Sequence, residues 1–134
     1  VESNEFLKKL NEKDIDLIRL ISPTTTKERI DKILASSSGY LYYISLKGVT
    51  GSELKISDEL ENRVLEIKKQ TKLPVVVGFG IKDAETAKKM SLCSDGVVVG
   101  SKLVDEIGSF NPNKENILNQ NLTSIISELK EGIS

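Results

Sequence analysis

Two short segments of the chain are apolar along almost their whole length. Residues 73–80 read LPVVVGFG and residues 95–101 read DGVVVGS. A strand with one face in water alternates apolar and polar residues, and neither segment alternates. Such strands occur in parallel sheets whose faces are both covered by other parts of the protein. The two segments therefore predict an α/β fold built on parallel strands.

Helical patterns separate the predicted strands, which makes the whole chain of 134 residues one alternating α/β domain. The predicted helices cover residues 4–13, 27–36, 58–71, 83–92 and 116–130, with a short helix at 101–107, and the predicted strands cover residues 16–23, 39–45, 73–80 and 95–101. Strict alternation predicts parallel pairing with helices packed on the sheet. The pattern alone fits both a doubly wound sheet and part of a (β/α)8 barrel.

Two sequence signals mark where helices begin. Asp83 is a good helix cap before residues 84–92, and Thr24 to Thr26 are candidates for capping the helix that starts at residue 27. Both signals follow directly after predicted strands, as the alternating pattern requires.

Composition narrows the range of partners and compartments. The net charge is −1, which argues against an extended nucleic-acid interface, and no apolar run approaches the roughly 18–20 residues that span a bilayer. Cys93 is the single cysteine and the chain has no histidine, so an internal disulfide and a Cys–His metal site are excluded. Cys93 is predicted to be a small buried residue, and we expect a reducing, cytoplasmic location.

Glycine occurs at the ends of three successive predicted strands. Gly48 and Gly51 follow the second strand, Gly78 and Gly80 end the third, and Gly100 ends the fourth. Glycine lets backbone N–H groups approach a ligand closely, and it accepts positive φ. In parallel α/β folds the functional groups gather where the strands end, so this pattern predicts a ligand site at that edge.

Ser101 begins a short predicted helix directly after Gly100. Backbone donors at a helix N-terminus, together with the helix dipole, bind anions without any basic cluster. A phosphate held by the last βα loops and a short extra helix is a recurrent feature of barrels. The glycine fingerprints of dinucleotide-binding and P-loop proteins do not occur in the sequence.

Three segments resemble the tryptophan synthase α subunit: YLYYISLKGVTG at 40–51, LPVVVGFGIKDAETAKKM at 73–90 and DGVVVGSKLV at 95–104. Residues 15–33 are similar to the fifth strand and helix of the same family. The resemblance implies the C-terminal half of a (β/α)8 TIM barrel, with strands and helices 5–8 and part of helix 4. Since the chain starts at Val1 rather than Met, we expect an N-terminal half-barrel that is not present in it.

The resemblance also implies an activity. The family is a lyase that cleaves indole-3-glycerol phosphate to indole and glyceraldehyde 3-phosphate in tryptophan biosynthesis. Its α subunit needs no cofactor or metal, and indole passes to a β subunit that carries pyridoxal phosphate in an α2β2 assembly. No nucleic acid or membrane partner is expected.

Eight residues of this chain match positions that contact substrate in the family. They are Tyr42, Thr50, Gly51, Phe79, Gly80, Val98, Gly100 and Ser101. By this resemblance the backbone amides of residues 79, 80, 100 and 101 hold the phosphate. Tyr42 faces the reacting carbon, Val98 lines the indole pocket, and Thr50 and Gly51 belong to a mobile lid loop at 46–57.

Two departures limit what these residues can do by themselves. Leu46 and Lys47 replace an Arg-Ser pair that often precedes Gly-Val-Thr-Gly in the family, which puts a loop contact of that arginine in doubt. The family's catalytic carboxylates lie on and after the second barrel strand, so no residue of this segment is assigned as catalytic. We expect the segment to bind glycerol phosphates weakly and to be inactive alone.

Two other interpretations stay open at this point: a non-catalytic phosphate-binding half-barrel, and a different phosphate-handling barrel. Either way, half of a barrel leaves one face of its sheet uncovered. The side chains expected on that face are Leu41, Tyr43, Val75, Val77, Val97 and Val99, or else their alternates along the same strands.

Overall fold

The computed structural model of the protein describes residues 2–44, 58–78, 80–109 and 115–133. Within these ranges the chain forms one parallel sheet with four strands and six helices. The elements, in chain order, are α1 (Glu2–Asn11), β1 (Arg19–Ile21), α2 (Lys27–Leu34), β2 (Leu41–Ile44), α3 (Asp58–Lys68), β3 (Val75–Gly78), α4 (Ala84–Ser91), β4 (Gly96–Val98), α5 (Ser101–Gly108) and α6 (Glu115–Ile133).

The strands lie in the sheet in the same order as in the chain, β1-β2-β3-β4, and every neighbouring pair is parallel. Tyr42 is paired with Leu20 on one side and with Val76 on the other. A doubly wound sheet reverses its strand order at a switch point, and this order does not reverse. Because βαβ crossovers are right-handed, sequential order places the connecting helices on one face of the sheet, as in a barrel.

Side-chain burial shows which face the helices cover. Leu41, Tyr43, Val75 and Val77 are at most 2% exposed, whereas Leu20 on the other face is 53% exposed. These four side chains therefore do not face the barrel interior, and the first of the two predicted sets is wrong. Val97 and Val99, the other members of that set, also pack against the helix-covered core. The uncovered face carries the alternates along these strands, which are Tyr42, Ile44, Val76 and Val98, together with Leu20 of β1.

The helices cover the sheet through residues at helical spacing. In α3 the buried positions are Leu60, Val64 and Ile67, which share one face of the helix, and α2 contributes Ile30. At the start of α4 the Asp83 carboxylate accepts hydrogen bonds from the backbone N–H of Thr86 at 2.8 Å and from its hydroxyl at 2.7 Å. The predicted cap is confirmed, and these bonds hold the pKa of Asp83 below its ordinary value.

Other predicted features differ from the structure at their ends. Thr26 occupies the N-cap position of α2, but its side chain makes no capping hydrogen bond. The predicted strand 16–23 pairs only from Arg19 to Ile21, because β2 begins opposite Arg19.

Cys93 is buried as predicted, and burial raises the pKa of its thiol.

Asp95 joins the amino-terminal ends of β3 and β4. Its carboxylate accepts the backbone N–H of Val75 at 2.8 Å and the ammonium of Lys68 at 2.6 Å, while its own N–H donates to the Val75 carbonyl. Burial alone would raise the pKa of Asp95, but the bonds from Lys68 and Val75 hold it below its ordinary value. This end of the sheet therefore carries a structural brace.

Gly132, in the last turn of α6, lies against the backbone of Ala84 at the start of α4. A methyl group there would lie 2.5 Å from the Ala84 carbonyl oxygen. We expect Gly132→Ala to lower the free energy of unfolding by about 1–2 kcal/mol, because overpacking outweighs the better helix propensity of alanine. Urea unfolding followed by circular dichroism measures the change.

The matched control is Gly108→Ala at the end of α5, where an added methyl group meets nothing within 4 Å. This variant should be as stable as the parent chain or slightly more stable. Equal stability of the two variants would contradict the close contact between α6 and α4.

Candidate functional site

The carboxyl ends of the strands lie side by side at one edge of the sheet. Ile44 is paired with Gly78, and Gly78 is paired with Val98. The chain therefore leaves β2, β3 and β4 at the same place, which is where parallel βα folds carry their functional groups. We call the edge where β1 to β4 end the carboxyl edge.

Five of the eight predicted site residues lie within the described ranges: Tyr42, Gly80, Val98, Gly100 and Ser101. Tyr42 and Val98 are on the uncovered face, and Gly80, Gly100 and Ser101 follow β3 and β4 at the carboxyl edge. The other three, Thr50, Gly51 and Phe79, lie outside the described residues, as does the predicted lid loop 46–57.

The Tyr42 ring lies over Gly78 of the neighbouring strand. A Cβ atom built on Gly78 would overlap the Tyr42 hydroxyl and would lie 2.7 Å from the ring atom Cζ. Gly78 is the last residue of β3, so its missing side chain leaves the space through which the phenol reaches the carboxyl edge. The phenol is thereby placed on the uncovered face, at the end of the strand.

Gly80 and Gly100 follow β3 and β4 at the carboxyl edge. Gly80 has φ +77°, a left-handed conformation that other residues adopt only with strain. Gly100 is the N-cap of α5, and its carbonyl accepts the N–H groups of Leu103 and Val104. A glycine has no side chain to cap the first turn of α5, and that turn contains no acidic residue. The turn is thus open to an anion.

A cavity of about 380 Å³ lies at the ends of β1 and β2, and it opens beside the uncovered face. The cavity has an apolar part and a polar part. Leu20, Ile21 and Ile44 form the apolar part. The polar part consists of Ser22, Thr24, Thr25, Thr26 and Arg29. Such a lining suits a ligand with an apolar body and a few hydrogen-bonding groups.

Hydrogen bonds fix the polar wall of this cavity. The backbone N–H of Ser22 donates to Thr25 Oγ1 at 3.0 Å, and the Ser22 and Thr24 hydroxyl groups are 3.0 Å apart. The Thr25 N–H also donates to the Ser22 carbonyl at 3.0 Å. The turn after β1 is therefore held by its own side chains, rather than by a capping bond to α2.

Leu20, Ile44 and Ser22 line the cavity but were not predicted as site residues from the sequence. Thr24 to Thr26 were predicted only as helix caps, although three hydroxyl residues after a strand also suit the polar lining of a pocket. The apolar residues left a weaker signal, since both faces of these strands are apolar.

The described residues contain no group of three or more potential metal ligands among His, Cys, Asp and Glu. None of the described helices is long and apolar enough to cross a membrane. The polar groups that the described residues bring to the carboxyl edge include backbone amides, the hydroxyl groups of residues 22–26, Arg29 and the Tyr42 phenol.

Four sequential parallel βα units, covered by helices on one face and open on the other, define half of a (β/α)8 barrel with a glycine-rich carboxyl edge. Comparison with known proteins agrees. The family model described as tryptophan synthase alpha chain matches residues 1–134. The chain belongs to the tryptophan synthase alpha chain family.

Individual relatives give the extent of the similarity. The tryptophan synthase alpha chain of Marinobacter nauticus is 42% identical over 132 residues, which cover 98% of this chain and 48% of the relative. The relative from Janthinobacterium is 48% identical over 106 residues, covering 79% of this chain and 40% of its own length. The chain therefore spans about half the length of the curated relatives it matches.

Solved structures agree with the fold. The crystal structure of tryptophan synthase subunit alpha from Legionella pneumophila superposes with a TM-score of 0.79 at 34% identity, covering 98% of this chain and 47% of that chain. An open form of tryptophan synthase from M. tuberculosis superposes with a TM-score of 0.78 at 27% identity. The predicted half-barrel is confirmed, and the doubly wound alternative is excluded.

The contact between Tyr42 and Gly78 can be tested by substitution. We expect Gly78→Ala to lower the free energy of unfolding by about 1–3 kcal/mol, because the methyl group forces the ring out of its place. In a Tyr42→Ala background the same change should cost at least about 1 kcal/mol less. Urea unfolding of the four proteins of this double-mutant cycle measures the coupling.

Gly96→Ala serves as the control, since a methyl group there meets only Val76 Cγ1, at 3.4 Å. Its cost should be small and should not depend on Tyr42. A Gly78→Ala cost that stays the same after Tyr42 is truncated would contradict the packing of the ring on Gly78.

Proposed function

We propose that this chain provides the phosphate-binding and substrate-orienting half of a tryptophan synthase α subunit, which cleaves indole-3-glycerol phosphate to indole and glyceraldehyde 3-phosphate. The family match over the whole chain carries the proposal. The arrangement of Gly80 and Gly100 at neighbouring strand ends supports it, because their register brings two glycine-bearing loops to one edge.

The phosphate is bound by backbone amides at residues 80, 100 and 101. Gly80 has the left-handed φ that allows a close backbone turn, and α5 directs its first N–H groups toward the carboxyl edge. Lys102 lies in the first turn of α5 and adds positive charge near the amino-terminal end of that helix. Phe79 takes part in the same site by family resemblance, and it lies outside the described residues.

The rest of the substrate lies along the uncovered face. Tyr42 faces the reacting carbon, and the Tyr42 phenol reaches the carboxyl edge over Gly78. Val98, the last residue of β4, lines the indole pocket. Thr50 and Gly51, outside the described residues, belong to the loop that closes over the substrate.

The bond-breaking groups come from four further βα units, which correspond to strands 1–4 of the barrel, while this chain supplies strands 5–8. Cleavage needs protonation of the indole carbon and removal of a proton from the glycerol hydroxyl, and each general acid or base contributes roughly 10²–10⁴-fold. Phosphate binding orients the substrate but transfers no proton. The 134 residues alone are therefore inactive.

The same proposal covers the partners and the compartment. The complete α subunit associates with a β subunit, to which it passes indole, and pyridoxal phosphate belongs to that β subunit. The α subunit itself works without a cofactor in the cytoplasm.

Complementation tests the activity. Co-expression of this chain with the amino-terminal half of the Marinobacter nauticus relative should restore indole release from indole-3-glycerol phosphate, and neither half alone should release indole. The assay is colorimetric detection of indole in the purified mixture. A stable complex of the two halves without activity would favour a non-catalytic phosphate-binding half-barrel instead.

Gly100→Asp tests the phosphate site itself. Aspartate is a good N-cap, so the free energy of unfolding should stay constant or rise by a few tenths of a kcal/mol. Its carboxylate occupies the first amides of α5 and repels an anion, so the affinity for inorganic phosphate should fall at least about ten-fold. Thermal unfolding and phosphate titration by NMR measure the two effects.

Gly100→Asn separates capping from charge. Asparagine caps the same amides without a negative charge, and it should weaken phosphate binding less than aspartate does. Unchanged phosphate affinity in Gly100→Asp would place the anion away from α5 and would overturn this assignment.

A further inference from the structure

Arg63 of α3 lies behind the polar wall of the cavity at β1 and β2, and it is not one of the lining residues. Its guanidinium has two arms. One nitrogen donates to Glu66 of the same helix at 2.7 Å, and another donates to the carbonyl oxygen of Thr25 at 2.9 Å. The side chain is 20% exposed, so the bond to Thr25 is largely shielded from water.

The bond from Arg63 to Thr25 joins two parts of the chain that are 38 residues apart. Thr25 belongs to the turn that forms the polar wall, and its hydroxyl accepts the Ser22 N–H. Glu66 keeps the guanidinium in place and also lies 3.5 Å from the ammonium of Lys27 at the start of α2. A set of charged contacts thus fixes the turn after β1 against α3.

We infer that Arg63 is a positioning residue for the ligand. It fixes the turn 22–26, which carries the hydroxyl groups, at a set distance from β2. The apolar end of the ligand, which is the end without the phosphate, requires that distance. The inference rests on the proposed function. A ligand whose phosphate is held after β3 and β4 extends along the uncovered face past Tyr42, toward Leu20 and Ile44. The cavity at the carboxyl ends of β1 and β2 then receives its other end.

The geometry explains why arginine occupies this position. A planar guanidinium donates in two fixed directions, here to a carboxylate on its own helix and to a carbonyl on another element. Lysine keeps the charge but has no rigid fork, so it holds the turn less firmly. The hydrogen bond from Arg63 to Glu66 fixes the direction in which the guanidinium points, and the second nitrogen is thereby directed to the Thr25 carbonyl.

The test is ligand titration by NMR of this chain in complex with the amino-terminal half of the Marinobacter nauticus relative, with two probes. Inorganic phosphate reports on the loops after β3 and β4. Indole-3-propanol phosphate carries both a phosphate and an indole, and it lacks the hydroxyl groups that are needed for cleavage. Arg63→Met should weaken binding of the indole probe at least five-fold and leave the phosphate affinity unchanged. Arg63→Lys should weaken binding of the indole probe at least two-fold.

Lys68→Met is the matched control. Lys68 lies on the same helix and forms an ion pair with Asp95 at 2.6 Å, at the opposite end of the sheet. A purely structural role of α3 predicts that both methionine variants lose stability and affect binding alike. The positioning role predicts a selective loss of indole-probe affinity in Arg63→Met alone, even where the two proteins unfold at the same temperature.

The outcomes separate the two proposals. If the parent complex binds neither probe, the proposed function fails and the role of Arg63 fails with it. If the parent complex binds both probes and the Arg63→Met complex binds them equally well, only the positioning role is overturned. The positioning role is also overturned if Arg63→Met weakens the binding of both probes equally, or if Arg63→Lys binds the indole probe as tightly as the parent does. Neither result requires a guanidinium that donates in two fixed directions.

Discussion

Each strand of the sheet places its side chains in two different environments, and the rest of the molecule depends on this division. Tyr43 points to the helices, is buried, and has a pKa raised by that burial. Tyr42, its neighbour in sequence, points to the uncovered face. Because side chains alternate along a strand, one tyrosine serves packing while the next is free for a ligand. A shift of one residue in register would exchange the two roles.

The uncovered face is shaped as much by absent side chains as by present ones. Gly78 provides the space that the Tyr42 ring fills, so the two residues form one unit across β2 and β3. Past the strand ends, Gly80 bends with a positive φ and Gly100 leaves the first turn of α5 without a side-chain cap. The phenol and the two glycines that follow β3 and β4 thus belong to the same edge of the sheet.

Sequence reasoning predicted the order of the elements well, since helical spacing and apolar runs depend on local residues. It did not identify which face of the strands is covered, because LPVVVG is apolar on both faces and gives no alternation. It also missed contacts between distant residues. Tyr42 and Gly78 are far apart in sequence, and so are Thr25 and Arg63, whose guanidinium donates to the Thr25 carbonyl. The family resemblance supplied roles for site residues that local patterns alone could not.

Helix α3 contacts both the turn after β1 and the residue that joins the amino-terminal ends of β3 and β4. Near its last turn, Lys68 binds Asp95, which in turn bonds the start of β3, so the helix is tied to the amino-terminal ends of the strands. In the middle of the helix, Arg63 donates a hydrogen bond to the Thr25 carbonyl in the turn after β1. Since the helix is rigid between these two contacts, the position of the turn is set relative to the buried sheet rather than by the turn alone. The packed core thus fixes the position of a surface turn through one helix.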